Sequence, residues 1–231
     1  MNYFYLKVII LICFIIGVSY LNTYILKEPF RTSQKNIVLL GDSILKNNSY
    51  VCDGKAVDDL LKERKNGEIN IYSLAENNSK IVHIYSQIDK IPIELNNKDT
   101  TVFLSAGGNN ILSSYVEQKE DTSNNHLLNT MFSDYKNLIK TLQTRMNKAK
   151  IVLLDIYYPT NMKYKQIQPI ISEWNQKIYN YANKRQTYEN DAMSLKVLKI
   201  SSELTKDTDF IMDIEPSASG GEKIANVIIY F

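Results

Sequence analysis

The sequence predicts a three-layer α/β/α sandwich built on a five-stranded parallel sheet. Two features of its 231 residues carry that expectation. Short apolar runs alternate with stretches of helical periodicity, the pattern a parallel sheet with crossover helices requires. Three of the runs also end in polar loops, and ligand sites in open parallel sheets gather at the carboxyl ends of strands.

Taken in order, Ile37–Leu40 is a short apolar strand that stops at Gly41-Asp42-Ser43. Lys55–Lys65 places Val57, Leu60 and Leu61 on one helical face. Ile69–Leu74 alternates as a strand, and Ser79–Lys90 carries Ile81, Val82, Ile84, Tyr85 and Ile88 at helical spacing. Thr101–Ser105 is the third strand. Residues 127–147 form a long helix whose apolar face includes Leu128, Met131, Phe132, Tyr135, Leu138, Ile139 and Leu142. Ile151–Ile156 is a buried strand, Ile167–Lys184 a helix, Leu195–Ile200 the last strand and Gly220–Tyr230 the closing helix.

The N-terminus is a separate object. Val8–Leu21 is an apolar run preceded by Lys7. It is short for a spanning helix of about 20 residues and fits the apolar region of a signal peptide. Extension through Leu26 makes an uncleaved single-pass membrane anchor over 1–26 the preferred reading. Cleavage near Gly17-Val18-Ser19, giving a secreted protein, and a buried helix of the globular part are the alternatives. Residues 27–36 contain a proline among polar residues and read as a linker, leaving 37–231 as the domain.

Composition excludes several function classes. A net charge of +2, with lysines interspersed among acids and asparagines, gives no nucleic-acid footprint. Two cysteines and two histidines, widely scattered, give neither a disulfide framework nor a metal-ligand cluster. No cofactor is implied, and the chain is expected as a monomer.

Three loops concentrate polar chemistry. Gly41-Asp42-Ser43 places a serine where a nucleophile is useful. Ala75-Glu76-Asn77-Asn78-Ser79 opens a helix whose free N–H groups can bind an anion. Ser105 to Asn110 contains Gly107-Gly108, which lets a ligand approach the backbone, and Asn109, an amide donor. A serine with donors from two neighbouring loops is what a tetrahedral oxyanion needs. Taken singly, each asparagine reads better as a turn or N-cap residue; all three loops falling at consecutive strand ends is what favours a site.

In these residues the chain resembles the SGNH/GDSL hydrolase family. Gly41-Asp42-Ser43 looks like the block carrying that family's nucleophile, and Gly107-Gly108-Asn109 like the block whose asparagine is an oxyanion donor. Asn77 stands where the family has a glycine, and asparagine tolerates the same left-handed backbone. Pro216–Ala225 resembles the stretch just after the catalytic histidine. The resemblance spans 37–231 and implies a flavodoxin-like sandwich of SGNH-hydrolase type.

One departure bears on activity. The family pattern is Asp, two residues, then His, whereas this chain has Met212-Asp213-Ile214-Glu215, with Glu215 in the histidine position and Asp213 one place late. The ending resembles a subgroup of SGNH-like proteins with glutamate in this block. His83 falls in a helical stretch as a bystander, and His126 in a polar loop. Glutamate is a weaker base than imidazole, with a pKa about 2 units lower. That deficit costs about 10- to 100-fold, against about 10⁶ for losing a base outright. Burial or a like charge from Asp213 would raise the Glu215 pKa and make it a better base.

The resemblance therefore implies a serine hydrolase of small acyl esters, an acylated glycan or a lipid, with Ser43 as nucleophile, Glu215 as base and Asp213 beside it. Asn77, Gly107 and Asn109 would form the oxyanion and substrate site. The alternative is a catalytically impaired scaffold that binds a glycan or protein. Asn47-Asn48-Ser49 and Asn77-Asn78-Ser79 match glycosylation sequons; chance in an asparagine-rich chain accounts for both.

Overall fold

The computed structural model describes residue 3 and residues 35–64, 68–117, 124–188 and 195–231. Strands β1 (Lys35–Leu40), β2 (Ile69–Ser73), β3 (Thr100–Leu104), β4 (Lys150–Leu154) and β5 (Leu195–Leu198) pair in parallel in the order β2-β1-β3-β4-β5. In register, Leu39 lies beside Phe103 and Leu40 beside Leu104. The inner strands are near-continuous apolar runs because both sheet faces are covered.

Alternation along β1 divides the core. Val38 and Leu40 point to one face, where they meet Ile84 and Ile88 of α2 (Ile81–Asp89), Tyr135 and Leu138 of α4 (Asn124–Arg145), and Trp174 and Ile178 of α5 (Gln168–Tyr188). Ile37 and Leu39 point to the other, where Leu60 and Leu61 of α1 (Val57–Arg64) and Ile224 and Ile228 of α6 (Ala218–Ile229) cover them. The three-layer expectation holds.

Two elements lie outside the expected pattern. Helix α3 (Gly108–Glu117) grows directly out of the third polar loop; its sequence starts with glycine and two asparagines, which read as loop. The pair β6 (Phe210–Ile211) and β7 (Glu215–Pro216) forms a small antiparallel hairpin. Its turn residues Met212 and Asp213 have φ of 49° and 71°, and the Ile214 N–H reaches the Ile211 carbonyl at 3.3 Å. That is a type I′ turn built without glycine. Left-handed backbone in such residues costs about 1–2 kcal/mol each, so tertiary contacts must hold it. β1 also starts at Lys35, two residues inside the expected linker.

Among the described residues no helix is long and apolar enough to cross a membrane. The expected anchor at 1–26 falls, apart from residue 3, outside the described residues, as do linker residues 27–34.

Candidate active site

The first loop is held by its neighbours. Gly41 has φ of 132°, and a Cβ there would stand 2.1 Å from the Ser105 carbonyl oxygen. Only glycine lets the ends of β1 and β3 approach this closely. The fully buried Gln87 of α2 accepts from the Gly41 N–H at 2.7 Å. Its amide donates to the Gly41 carbonyl at 2.9 Å and to Ser79 Oγ at 3.1 Å. One side chain thus ties the first loop to the second.

Ser105 ties it to the third. Its hydroxyl donates to Asp42 Oδ1 at 2.8 Å and accepts from the Asp42 N–H at 3.2 Å. Asp42 Oδ1 also accepts from the Ile44 N–H at 3.2 Å, and the Asp42 carbonyl accepts from the N–H groups of Leu45 and Lys46, each at 3.1 Å. This closed turn presents Ser43, only 5% exposed, at the mouth of the sheet. Burial raises the Asp42 pKa, while its hydrogen bonds oppose that shift.

Glu215 comes to Ser43 on β7. The two residues line the same cleft, where the Ser43 side chain lowers the Glu215 pKa. Burial is the largest influence on Glu215 and raises its pKa; the Asp42 charge raises it further. Its Oε2 is buried, with no partner among the described residues. Ser43 and Glu215, with Asp42 and Asn109, line a narrow cleft open to solvent.

The hairpin that delivers Glu215 is anchored on both sides. The Tyr157 hydroxyl donates to the Ile214 carbonyl at 2.6 Å, and its ring packs on Phe210 with centroids 5.2 Å apart. Burial, then the Glu215 and Asp42 charges, raise the Tyr157 pKa, so it stays a neutral phenol. The fully buried Asn47 donates to the Pro216 carbonyl at 3.0 Å and accepts from the Val57 N–H at 2.9 Å. Both ends of its amide are engaged in the interior, so the Asn47 sequon is not open to modification. Sequence reading missed Tyr157, Gln87 and this role of Asn47, because their partners are remote in the chain.

The expected oxyanion donors are arranged unevenly. Asn109 lines the cleft and donates one amide proton to the Ser79 carbonyl at 3.1 Å, leaving the second for a ligand. Among the described residues, the backbone N–H groups of Ser43 and Asn77 meet no protein acceptor. Asn77 is half-buried, and its Oδ1 accepts from the Tyr50 hydroxyl at 3.0 Å and the Asn78 N–H at 2.9 Å. The left-handed residue of this loop is Asn78, with φ of 58°, rather than Asn77. Gly107 supports the floor: at φ of 106°, a Cβ would stand 2.3 Å from the Trp174 ring.

Asp213 does not join the site. Its exposed carboxylate pairs with Lys163, accepts from Asn161 at 2.9 Å, and has a lowered pKa because of Lys163. The left-handed turn directs it away from Glu215, and the like charge expected from Asp213 comes from Asp42. His83 is exposed on α2, where its Nδ1 accepts from the Lys80 N–H at 3.1 Å. His126 is exposed in the first turn of α4, a helix where a loop was expected.

A parallel sheet in β2-β1-β3-β4-β5 order with helices on both faces is the SGNH-hydrolase fold. Comparison with solved structures agrees. A lipolytic G-D-S-L family protein from Veillonella parvula superposes with a TM-score of 0.63 at 14% identity, covering 85% of this chain and 97% of that one. A family 3 carbohydrate esterase from Clostridium thermocellum gives 0.60 at 20% identity, covering 85% and 94%. An acetyl xylan esterase gives 0.58 at 13%, covering 84% and 98%. The chain has the SGNH/GDSL hydrolase fold. No protein-family model and no curated protein matches the sequence.

Proposed function

We propose that the protein is a serine ester hydrolase in which Ser43 is the nucleophile and Glu215 the general base. The observation that supports this reading is that Ser43 and the desolvated Glu215 line one cleft, with Glu215 Oε2 unpartnered among the described residues. Glu215 takes the Ser43 proton as Oγ attacks the ester carbonyl. Asn109 Nδ2 and the N–H groups of Ser43 and Asn77 receive the oxyanion. Collapse expels the alcohol, which takes the proton from Glu215 and leaves an acyl-serine. Glu215 then removes a proton from water, which attacks the acyl carbon; the acid departs and the Ser43 hydroxyl is restored. A raised pKa narrows the gap between glutamate and imidazole as bases. Solved structures of similar fold that are described as lipases and esterases support the hydrolase reading at the level of reaction class.

The full chain should hydrolyse p-nitrophenyl butyrate, and Ser43→Ala should abolish the activity. Equal rates in the two proteins would refute the assignment. The site's lack of an imidazole favours a second reading, a scaffold that binds without turnover. On that reading an organophosphonate leaves Ser43 unlabelled, while a ligand still raises the melting temperature; stoichiometric labelling of Ser43 excludes it.

A further inference from the structure

We propose that Tyr50 is a positioning residue for the oxyanion site: its hydroxyl holds the apex of the second polar loop and, through it, the Asn77 N–H. The inference rests on the esterase reading above and adds to it a residue that touches no substrate.

The ends of this loop are well tied. At its start the Glu76 N–H donates to the Gly41 carbonyl at 3.0 Å. At its end the Ser79 hydroxyl accepts from Gln87 and the Ser79 carbonyl from Asn109, each at 3.1 Å. The apex between them, half-buried Asn77 and exposed Asn78, is held more lightly. One long bond closes the turn, from the Ser79 N–H to the Glu76 carbonyl at 3.3 Å. Asn78 is left-handed, with φ of 58°, a conformation unfavourable without glycine. The Asn77 N–H, the proposed oxyanion donor of this loop, meets no protein acceptor among the described residues. Tyr50 supplies the restraint: its hydroxyl donates to Asn77 Oδ1 at 3.0 Å. That oxygen also accepts from the Asn78 N–H at 2.9 Å, so both of its lone pairs are used and the amide is set from two sides. Among the described residues no other group outside the loop bonds to Asn77 or Asn78.

Tyr50 is itself well placed to act as an anchor. Its N–H donates to the Asn47 carbonyl at 3.0 Å, and the Asn47 side chain is locked between Pro216 and Val57. One short segment therefore fixes the Glu215 strand through Asn47 and the Asn77 loop through Tyr50. A donor already fixed in direction needs no reorganisation as charge develops on the oxyanion, so the rate depends on how firmly it is held.

The test is Tyr50→Phe in the full chain, with p-nitrophenyl butyrate as substrate. The half-buried ring stays, so the variant should fold. Its kcat should fall about tenfold, short of the roughly 10²- to 10³-fold cost of losing an oxyanion donor outright, while KM moves by no more than about twofold. Asn77→Gly keeps the N–H but removes the side chain that Tyr50 grips. In that background the same Tyr50 substitution should lower kcat by no more than about twofold. A loss of equal size in both backgrounds would overturn the inference, as would an unchanged kcat or an effect confined to KM. Hydrogen exchange reads the loop without turnover: the Asn78 and Ser79 amides should exchange about tenfold faster in Tyr50→Phe. A wild type that cleaves no ester would remove the hydrolase reading. Faster exchange would then still uphold Tyr50 as the anchor of the loop, and unchanged exchange would overturn that too.

Discussion

Asn47→Ala tests how the Ser43 turn and the Glu215 strand are kept in register. The Asn47 amide bridges the Pro216 carbonyl and the Val57 N–H, both within the buried interior. Alanine leaves each of these backbone groups without a partner. An orphaned buried polar group costs about 1–3 kcal/mol, so the loss should total about 2–6 kcal/mol. Against a typical stability of about 5–15 kcal/mol the variant still folds. Urea denaturation should show the midpoint falling by about 1–3 M for a slope near 2 kcal/mol/M. Because Pro216 follows Glu215 directly, kcat should fall in the folded variant. KM should move less, since Asn47 does not line the cleft. A stability loss below about 1 kcal/mol with unchanged kcat would refute the bridging role.

Two further expectations concern charge. Asp42→Asn removes the like charge that raises the Glu215 pKa, so the acidic limb of the activity profile should shift to lower pH; Asp213→Ala should leave that limb in place. The reverse pattern would restore Asp213 as the partner. Glu215 is also expected to affect stability. Its folded pKa lies above the ordinary value of 4.5, so the folded state holds the proton more tightly. Its contribution is therefore fully present below pH 4.5 and lost as pH rises through the raised pKa. The wild type minus Glu215→Gln difference in unfolding free energy should fall across that window. A flat difference would mean that Glu215 is not desolvated.

Legibility in the sequence follows from how local each determinant is. Period-two and period-3.6 patterns depend on near neighbours, so Val38 to Leu40 and the α4 stripe identified their elements. Ser43 was locatable because a strand end is a local signal. Asp213 misled because adjacency in sequence suggested adjacency to Glu215, whereas two consecutive left-handed residues turn it toward Lys163. Helix α3 was hidden behind a glycine-asparagine start whose burial of Ile111 is a tertiary matter.

By itself, then, the sequence determined the layered sheet, the position of Ser43 after its first strand and the glutamate at the position where the family resemblance expects histidine. All three are written in short spans of chain. Only the tertiary structure decided that Glu215 lines one cleft with Ser43, that Asp42 rather than Asp213 is its charged neighbour, and that Asn47 and Tyr157 secure its hairpin. Desolvation and charge act through space between segments remote in the chain, and no local pattern encodes which segments will meet.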